Sequence, residues 1–278
     1  SKEDERIAAI ENLAKYLVDI KVVLCGNAEN LELDEEKVLE TSKYIQSEGL
    51  MKLLISNFDV ITFETRKDTT LIYNNLVRKN INGFAQYLFE NVDILQMLLQ
   101  GYLSTDSALS CGSMLRESLR HENLARYVLF SEFLWAFFDT YVHLPDFEVA
   151  SDAFNTLREL LTLPKHKHVI EEFMETQGDK LLEKYDSLLQ SDNYLTRRRS
   201  LKLLSELLLD RSNYTIMMKY ISSKNNLKTI MNLLRHKSPQ IQFETFHVFK
   251  IFVANPSKTA EIESILSKNK SKLIAYLE

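Results

Sequence analysis

The residue types that usually carry catalysis or bind metals are few and scattered in this 278-residue sequence. Cys25 and Cys111 are its only cysteines, and their separation fits no metal-binding pattern. His166 and His168 stand two residues apart, so a helix would point them to different faces, and we expect a solvated loop there. His121 has charged neighbours, and a polar network at a helix end is favoured over acid–base catalysis. We therefore predict no enzyme, no cofactor and no metal ion.

Motifs for phosphate binding, calcium binding and membrane spanning are not found in the sequence either. Its six glycines occur singly, which excludes the glycine-rich loops that cradle phosphates. No Asp-x-Asp-x-Asp-Gly segment supports an EF-hand. The most apolar stretch, 128–144, contains Glu132 and Asp139 and is too short and too polar to cross a bilayer. With two lone thiols and no leader-type segment, we expect a cytoplasmic protein without membrane contact.

The cations are concentrated in the last third of the chain. Residues 193–278 hold 15 Lys and Arg against 6 Asp and Glu, a net charge of +9, whereas residues 1–192 hold 19 against 33, a net charge of −14. Lys268, Lys270 and Lys272 add positive charge to the last two expected helices. A basic end on an acidic body indicates an acidic partner for that end. The alternative, in which these cations only solvate helix surfaces, stays open.

Within this basic end, Arg198 belongs to a run of three arginines near the expected first turn of a helix, where the macrodipole disfavours cations. Such a local conflict hints at a functional demand. Lys202 lies one turn further on the same face, although it could simply pair with the glutamate one turn later. Lys228, Met231 and Arg235 form a second stripe, in which a flexible Met flanked by cations could be the floor of an apolar slot. A core position for Met231 is at least as good an interpretation.

A repeat of helices is expected to position these residues. Leu, Lys, Glu and Ile are abundant, and only 6 Gly and 4 Pro are present, which favours helices over β-hairpins. Apolar residues of one helix face recur at spacings of 45 and 47, a period that is typical of armadillo and HEAT repeats. The pairs at spacing 45 are Leu201/Phe246, Leu204/Phe249, Leu207/Phe252 and Leu208/Val253. A match at 180 residues, four such periods, relates Phe63-Glu64-Thr65 to Phe243-Glu244-Thr245.

Helix boundaries also carry recognisable chemistry. Asp146, Asn193 and Ser238 are predicted N-caps, the last with proline at the first helical position. Asn255-Pro256 is predicted to end one helix and to start the next. Each unit of two or three helices must stack on its neighbours to bury its apolar face. We therefore predict one all-α domain over residues 1–278: a right-handed armadillo/HEAT-like helical-repeat solenoid, a curved rod with repeats of about 40–47 residues. The natural protein is expected to extend beyond both ends.

Several segments, in order along the chain, resemble the mouse-protein-25 (calcium-binding protein 39) family of kinase-activating adaptors. They are residues 109–117, 120–122, 147–154, 200–211, 241–244, 246–250 and 252–256. The resemblance extends over essentially the whole chain and is weakest before about residue 45 and around 81–91. It implies a non-catalytic rod whose concave face binds a protein kinase or pseudokinase and favours its active arrangement. The implied partners are STRAD-like pseudokinases, germinal-centre kinase-like enzymes and the liver kinase B complex.

The same resemblance implies a separate C-terminal slot for a Trp-Glu-Phe-like peptide. Carried over by position, the slot residues are Arg198, Lys228, Met231, Lys268 and Lys272. The implied kinase-facing residues are Lys202, Arg211 and Tyr214. The family usually has Phe at the position of Tyr214 and commonly Gln at that of Arg199, so a more basic slot is expected here.

The competing function class is a nucleic-acid-binding helical repeat that uses the basic C-terminal third. Such a protein needs aromatic rings interleaved with the cations, on which bases stack. Tyr194, Tyr214 and Tyr220 are few for that purpose. We therefore expect a protein-binding scaffold in signal transduction that does not bind nucleic acid and is monomeric without its partner.

Overall fold

The computed structural model describes residues 2–26 and 33–277, and the described chain is helical almost throughout, without a strand. It divides into two compact units, residues 1–165 and 166–278, called unit 1 and unit 2 below. The sequence indicates no boundary there, and the single domain stays a prediction. The helices of unit 1 are α1 (Lys2–Cys25), α2 (Glu35–Ser47), α3 (Leu50–Ser56), α4 (Phe63–Arg78), α5 (Phe84–Glu90), α6 (Val92–Gln100), α7 (Ala108–Ser118), α8 (Glu122–Phe130), α9 (Phe133–Asp139) and α10 (Phe147–Thr162).

Unit 2 continues with longer helices at its start. Its helices are α11 (Lys167–Leu189), α12 (Tyr194–Leu209), α13 (Tyr214–Ser222), α14 (Lys224–Leu233), α15 (Pro239–Ala254), α16 (Ala260–Lys268) and α17 (Lys270–Leu277). Short 3-10 helices at Ile81–Gly83, Gly101–Leu103, Tyr141–His143 and Arg211–Asn213 connect some of the helices.

The repeat is visible in the helices that stack on one another. In unit 1, α1 packs on α4, α4 on α7 and α7 on α10; in unit 2, α12 packs on α15. The helices α4, α7, α10, α12 and α15 begin at residues 63, 108, 147, 194 and 239, so successive starts are 45, 39, 47 and 45 residues apart. Three intervals lie within the predicted 40–47 residues, and one is a residue shorter. The protein is an all-α helical-repeat solenoid, as the sequence predicts.

The residue pairs behind that prediction fare differently. Leu204/Phe249 and Leu207/Phe252 are buried in both members, whereas Leu208 is buried and Val253 is exposed. The match at 180 residues is wrong as a register of the repeat. Phe63 is the first residue of α4, whereas Phe243 is the fifth of α15. When α4 and α15 are aligned at their first residues, Phe243 lies about one helical turn later in its helix than Phe63 does.

The predicted N-caps are confirmed. The side chains of Asp146 and Asn193 accept from backbone N–H groups of the first turns of α10 and α12 at 2.9–3.1 Å. Ser238 caps α15 in the same way, with Pro239 first in the helix. The prediction for Asn255-Pro256 is half wrong: α15 ends at Ala254, but α16 starts only at Ala260, after its own Thr259 cap. Pro256 therefore lies in a connecting loop.

A half-buried polar network joins α7 to α10 in unit 1. Arg116 donates to the two carboxylate oxygens of Asp152 at 2.7 and 2.8 Å and to Thr156 Oγ1 at 2.7 Å. The hydroxyl of Tyr102 donates to Asp152 at 2.9 Å. Burial is the largest single influence and opposes the charge of Arg116, but the hydrogen bonds that Arg116 donates to Asp152, together with the attraction of the negative charges nearby, raise the pKa of Arg116. His121, between α7 and α8, has its Nε2 2.8 Å from the Val77 carbonyl oxygen on α4.

Candidate peptide-binding cleft and adjacent surface

All of the predicted binding residues belong to unit 2. Arg198 and Lys202 lie on α12, Arg211 in the following 3-10 turn, Tyr214 at the start of α13, Lys228 and Met231 on α14, Lys268 at the end of α16 and Lys272 on α17. Met231 is half-buried and the others are exposed. The helices α12 and α14 both pack on α15, and α14 also packs on α16. One helix, α15, is therefore the common support for both stripes of cations.

A cleft of about 120 Å³ opens where α14 meets the end of the chain. Its lining consists of Met231, Leu234, Arg235, Asn269, Lys272 and Leu273. The leucines and the methionine supply an apolar floor, and Arg235 and Lys272 supply two cations beside it. No acidic residue is among these six. Met231 is therefore neither sealed in the core nor fully exposed, and its setting suits a bound apolar group flanked by negative charge.

The sequence analysis predicts only part of this cleft. Of the five slot residues, the cleft contains Met231 and Lys272. Arg235 belongs to the stripe on α14 that the sequence shows. Leu234, Asn269 and Leu273 were missed, and the last two belong to the junction of α16 and α17, which only the fold brings to this cleft. Asn269 ends α16, where its side-chain amide donates to the Ile265 carbonyl at 2.8 Å and so fixes the turn into α17.

Arg198 makes its recorded contact with α15. Its Nε lies 3.8 Å from Glu244 Oε1, and the two side chains are 44% and 12% exposed. The neighbouring Arg197 points elsewhere and reaches Nε2 of His236 at 2.9 Å. Burial lowers the pKa of Arg199. The first turn of α12 carries no acidic residue, but Arg198 is the fifth residue of the helix and lies past that turn, so the expected conflict with the helix dipole is weak.

Lys228 and Lys268 lie outside the cleft lining and are exposed. Lys228 precedes Met231 by about one turn of α14, which places both on one face of that helix. Lys268 is the last residue of α16, where the helix dipole favours a cation. An ion pair of 2.7 Å between Lys224 and Glu261 ties the start of α14 to α16. The two lysines therefore extend the positive charge around the cleft without closing it.

Two of the three residues predicted to face a kinase, Arg211 and Tyr214, lie at a well-anchored turn, whereas Lys202 lies about two helical turns earlier, on α12. Asp210 ends α12, and its carboxylate accepts from Ser212 N at 3.1 Å, from Ser212 Oγ at 2.8 Å and from Lys167 Nζ at 3.0 Å. Hydrogen bonds from Ser212 first, and then from Lys167, lower the pKa of Asp210. Arg211 and Tyr214 flank this turn and are exposed. Tyr214 therefore presents an aromatic ring on a rigid support, which suits protein recognition.

The described residues offer no metal centre. In residues 2–26 and 33–277, no group of three or more His, Cys, Asp or Glu could hold a metal ion. His166 and His168 lie at the start of α11, His166 as its N-cap residue, so the expected loop is largely helical. Over the same described ranges, no helix has both the length and the apolar content that crossing a bilayer requires.

Comparison with known proteins gives close relatives over nearly the whole chain. The family model described as Mo25-like matches residues 1–278. "Calcium-binding protein 39-like" of Mus musculus is 49% identical, with 99% of this chain and 82% of the relative covered. "MO25-like protein 2" of Caenorhabditis elegans is 45% identical over 97% of this chain and 79% of the relative.

Among solved structures, computationally designed armadillo repeat proteins for modular peptide recognition are similar at a TM-score of 0.49. They are 13% identical, with 87% of this chain and 94% of that chain covered. The sequence relatives decide the family, because a family model that matches every residue and identities near one half leave no other placement. The chain belongs to the Mo25-like family, and this membership supports a general role as a protein-binding scaffold.

Proposed function

We propose that the protein is a scaffold that holds a protein kinase or pseudokinase and stabilises its active conformation. One observation carries the proposal: an apolar cleft floored by Met231 lies between the cations Arg235 and Lys272. We assign this cleft, with Arg198, Lys228 and Lys268 around it, to a Trp-Glu-Phe-like peptide of the partner. Lys202, Arg211 and Tyr214 form the second contact, which the family resemblance assigns to a concave face. Partners of the STRAD-like, germinal-centre kinase-like or liver kinase B type fit this assignment, in the cytoplasm and with one scaffold molecule each.

The cleft can hold part of an aromatic ring. Its volume of about 120 Å³ is less than the roughly 150 Å³ of an apolar cavity that encloses benzene, so a tryptophan would insert one edge of its ring and keep the rest outside the cleft. A tryptophan that buries about 150–250 Å² contributes on the order of 4–6 kcal/mol. Association itself costs a comparable amount, so the ring alone binds weakly. Charge-assisted hydrogen bonds from the surrounding cations to a peptide carboxylate then supply register and specificity.

Kinase activation needs no chemistry from the scaffold. If it binds the closed conformation of a kinase domain more tightly than the open one, the population shifts toward the closed conformation by that difference in affinity. The peptide contact and the kinase contact are then two parts of one binding event and reinforce each other through an effective concentration. Loss of either contact therefore weakens activation.

The peptide contact is tested by binding of a fluorescein-labelled peptide ending in Trp-Glu-Phe, followed by fluorescence anisotropy. We expect Met231→Ala and Arg198→Ala each to weaken binding at least tenfold, about 1.4 kcal/mol, while helical circular dichroism is unchanged. Met218→Ala and Lys219→Ala are the matched controls, since both lie on α13, which carries none of the proposed slot residues. Undiminished affinity of both Met231→Ala and Arg198→Ala would remove the slot assignment.

The kinase contact is tested separately, by activation of a partner kinase domain. Arg211→Ala and Tyr214→Ala are expected to lower the activation while peptide affinity stays at the wild-type level. Lys219→Ala is again the control for charge in the same unit. Normal activation by the Arg211/Tyr214 double variant would contradict the assignment of this surface.

A further inference from the structure

Glu244, the residue that faces Arg198, has an unusual environment for a carboxylate. In the described residues, Arg66 and Glu244 are the two charged side chains that are buried. Arg66 is satisfied there by hydrogen bonds of 2.8 Å to the carbonyls of Phe58 and Ile61. Glu244 has Arg198 Nε at 3.8 Å, which is ion-pair range but beyond a hydrogen bond. Glu244 therefore gains little from its partner, in contrast to Arg66, and an incompletely satisfied carboxylate at such a position points to a function.

The geometry of the contact shows what that function is. Glu244 lies at the Nε edge of the Arg198 guanidinium, and 44% of the Arg198 side chain is exposed. A guanidinium presents five N–H donors in a rigid fork, so its two Nη groups can still bind a second carboxylate in a bidentate manner. Arg198 can therefore serve a partner while it stays next to its own counter-ion.

We infer that Glu244 is a specificity-determining residue of the candidate slot, a built-in counter-ion that weakens the attraction of Arg198 for any single negative charge. This inference rests on the proposed function of Arg198. With Glu244 in place, a ligand gains little from charge alone and must also fill the apolar cleft. The occupant that fits is an acidic peptide with an aromatic anchor, and a polyanion without such an anchor is discriminated against.

The expected magnitude follows from the repulsion between two carboxylates that share one guanidinium. At a separation of about 6 Å in a largely solvated site, this repulsion changes affinity roughly 3- to 10-fold. Glu244→Gln removes the negative charge and keeps the size of the side chain. We therefore expect it to bind the Trp-Glu-Phe peptide about 3- to 10-fold more tightly at low salt, with the gain shrinking as salt is added.

Three comparisons separate this charge effect from a structural one. A Trp-Gln-Phe peptide should bind Glu244→Gln and wild type equally, because its middle side chain is neutral. In an Arg198→Ala background the peptide carboxylate is no longer held near Glu244, so Glu244→Gln should give a smaller gain than it does with Arg198 in place. Asp179→Asn changes the net charge by the same amount at an exposed site on α11, paired with Lys219, and should leave affinity for both peptides unchanged.

Equal or weaker binding of the Trp-Glu-Phe peptide by Glu244→Gln would overturn the inference, and so would an equal gain for both peptides or for Asp179→Asn. If the wild type binds, Met231→Ala does not, and Glu244→Gln behaves as wild type, only the inference fails. If the wild type itself does not bind the Trp-Glu-Phe peptide, the proposed function fails and the inference with it.

Discussion

In each unit, an arginine on one helix contacts a carboxylate on the next helix of the stack, and the two contacts differ in distance and in exposure. Arg116 and Asp152 in unit 1 are 24% and 14% exposed and share hydrogen bonds of 2.7 and 2.8 Å. In unit 2, Arg198 approaches Glu244 only to 3.8 Å and is 44% exposed. Asp152 and Glu244 are both the sixth residue of their helices, α10 and α15. One position of the repeat thus carries a fully hydrogen-bonded carboxylate in unit 1 and a loosely paired one in unit 2.

The difference lies in how completely the charges are satisfied. Around Asp152, Tyr102 and Thr156 complete the hydrogen bonds that a buried ion pair requires. Around Glu244 the structure records no such supporting hydrogen bond within residues 2–26 and 33–277. A satisfied network fixes the distance between helices, whereas a loose pair leaves an arginine able to exchange partners. The predictions below test this contrast, from the largest expected effect to the smallest.

The largest expected effect is the difference in the rate at which a thiol reagent labels a cysteine at the α7–α10 interface and one in the candidate cleft. Burial raises the pKa of the Cys111 thiol on α7 from 9.0 to about 12. At pH 8 this leaves roughly a thousandfold less thiolate than an unperturbed cysteine has, and the thiolate is the reactive form. In a Cys25→Ser background, we expect maleimide to label Cys111 at least 100-fold more slowly than a cysteine placed by Met231→Cys, as measured by mass spectrometry.

The raised pKa of Cys111 also makes the free energy of unfolding depend on pH. Because the folded protein favours the protonated thiol, the stability that this thiol contributes is complete below pH 9 and is lost as the pH rises toward 12. Cys111→Ala should remove that part of the alkaline loss. Rapid labelling of Cys111 in the folded protein, at the rate seen for residue 231, would mean that the α7–α10 interface is not closed.

The next effect is on the free energy of unfolding. Asp152→Ala leaves Arg116 and the Tyr102 hydroxyl without their partner in a largely buried site, and we expect a loss of about 3 kcal/mol. Urea unfolding followed by circular dichroism measures it. Asp179→Ala breaks an ion pair whose acid is 82% exposed, and should cost less than about 1 kcal/mol. Similar losses for the two variants would erase the distinction between a packed and a surface pair.

Gly112 gives a smaller effect on the same network. A methyl group at this position of α7 would collide with the Asp152 carboxylate and lie 2.5 Å from the Tyr102 hydroxyl. Alanine normally stabilises a helix over glycine by about 1 kcal/mol, but here we expect Gly112→Ala to destabilise by about 2 kcal/mol through overpacking. In the Asp152→Ala background the collision with the carboxylate is removed while that with Tyr102 stays, so the cost should fall in part, and additive losses would argue against contact with Asp152.

The sequence predicts best what is decided locally. Asp146, Asn193 and Ser238 cap their helices as predicted, because a cap depends on three consecutive residues and a backbone conformation. The period of the repeat is also readable, since one helix face must be apolar in every unit. Pro256 illustrates the limit: a residue that can start a helix does so only where the neighbouring packing needs one.

The candidate site depends more on contacts distant in sequence. Met231 and Lys272 are 41 positions apart by number, and no periodicity relates α14 to α17 closely enough to show that they share a cleft. Leu273 joins them for the same reason, and it was missed. The family resemblance supplied Lys272, whereas local spacing supplied Met231 with its neighbouring cations. Glu244 was noticed only as part of a repeated segment, since its burial next to Arg198 is a tertiary property.

The smallest expected effect is the stability of Glu244→Gln. If Glu244 stabilised the fold as Asp152 does, neutralising it would cost several kcal/mol, as for other buried pairs. Its contact with Arg198 is longer than a hydrogen bond, and Arg198 is substantially exposed, so solvent screens the attraction. We expect the free energy of unfolding in urea to change by less than about 0.5 kcal/mol, while Asp152→Asn loses clearly more. A loss in Glu244→Gln as large as in Asp152→Asn would make Glu244 a packing residue, and the two arginine–carboxylate contacts would then serve the same purpose.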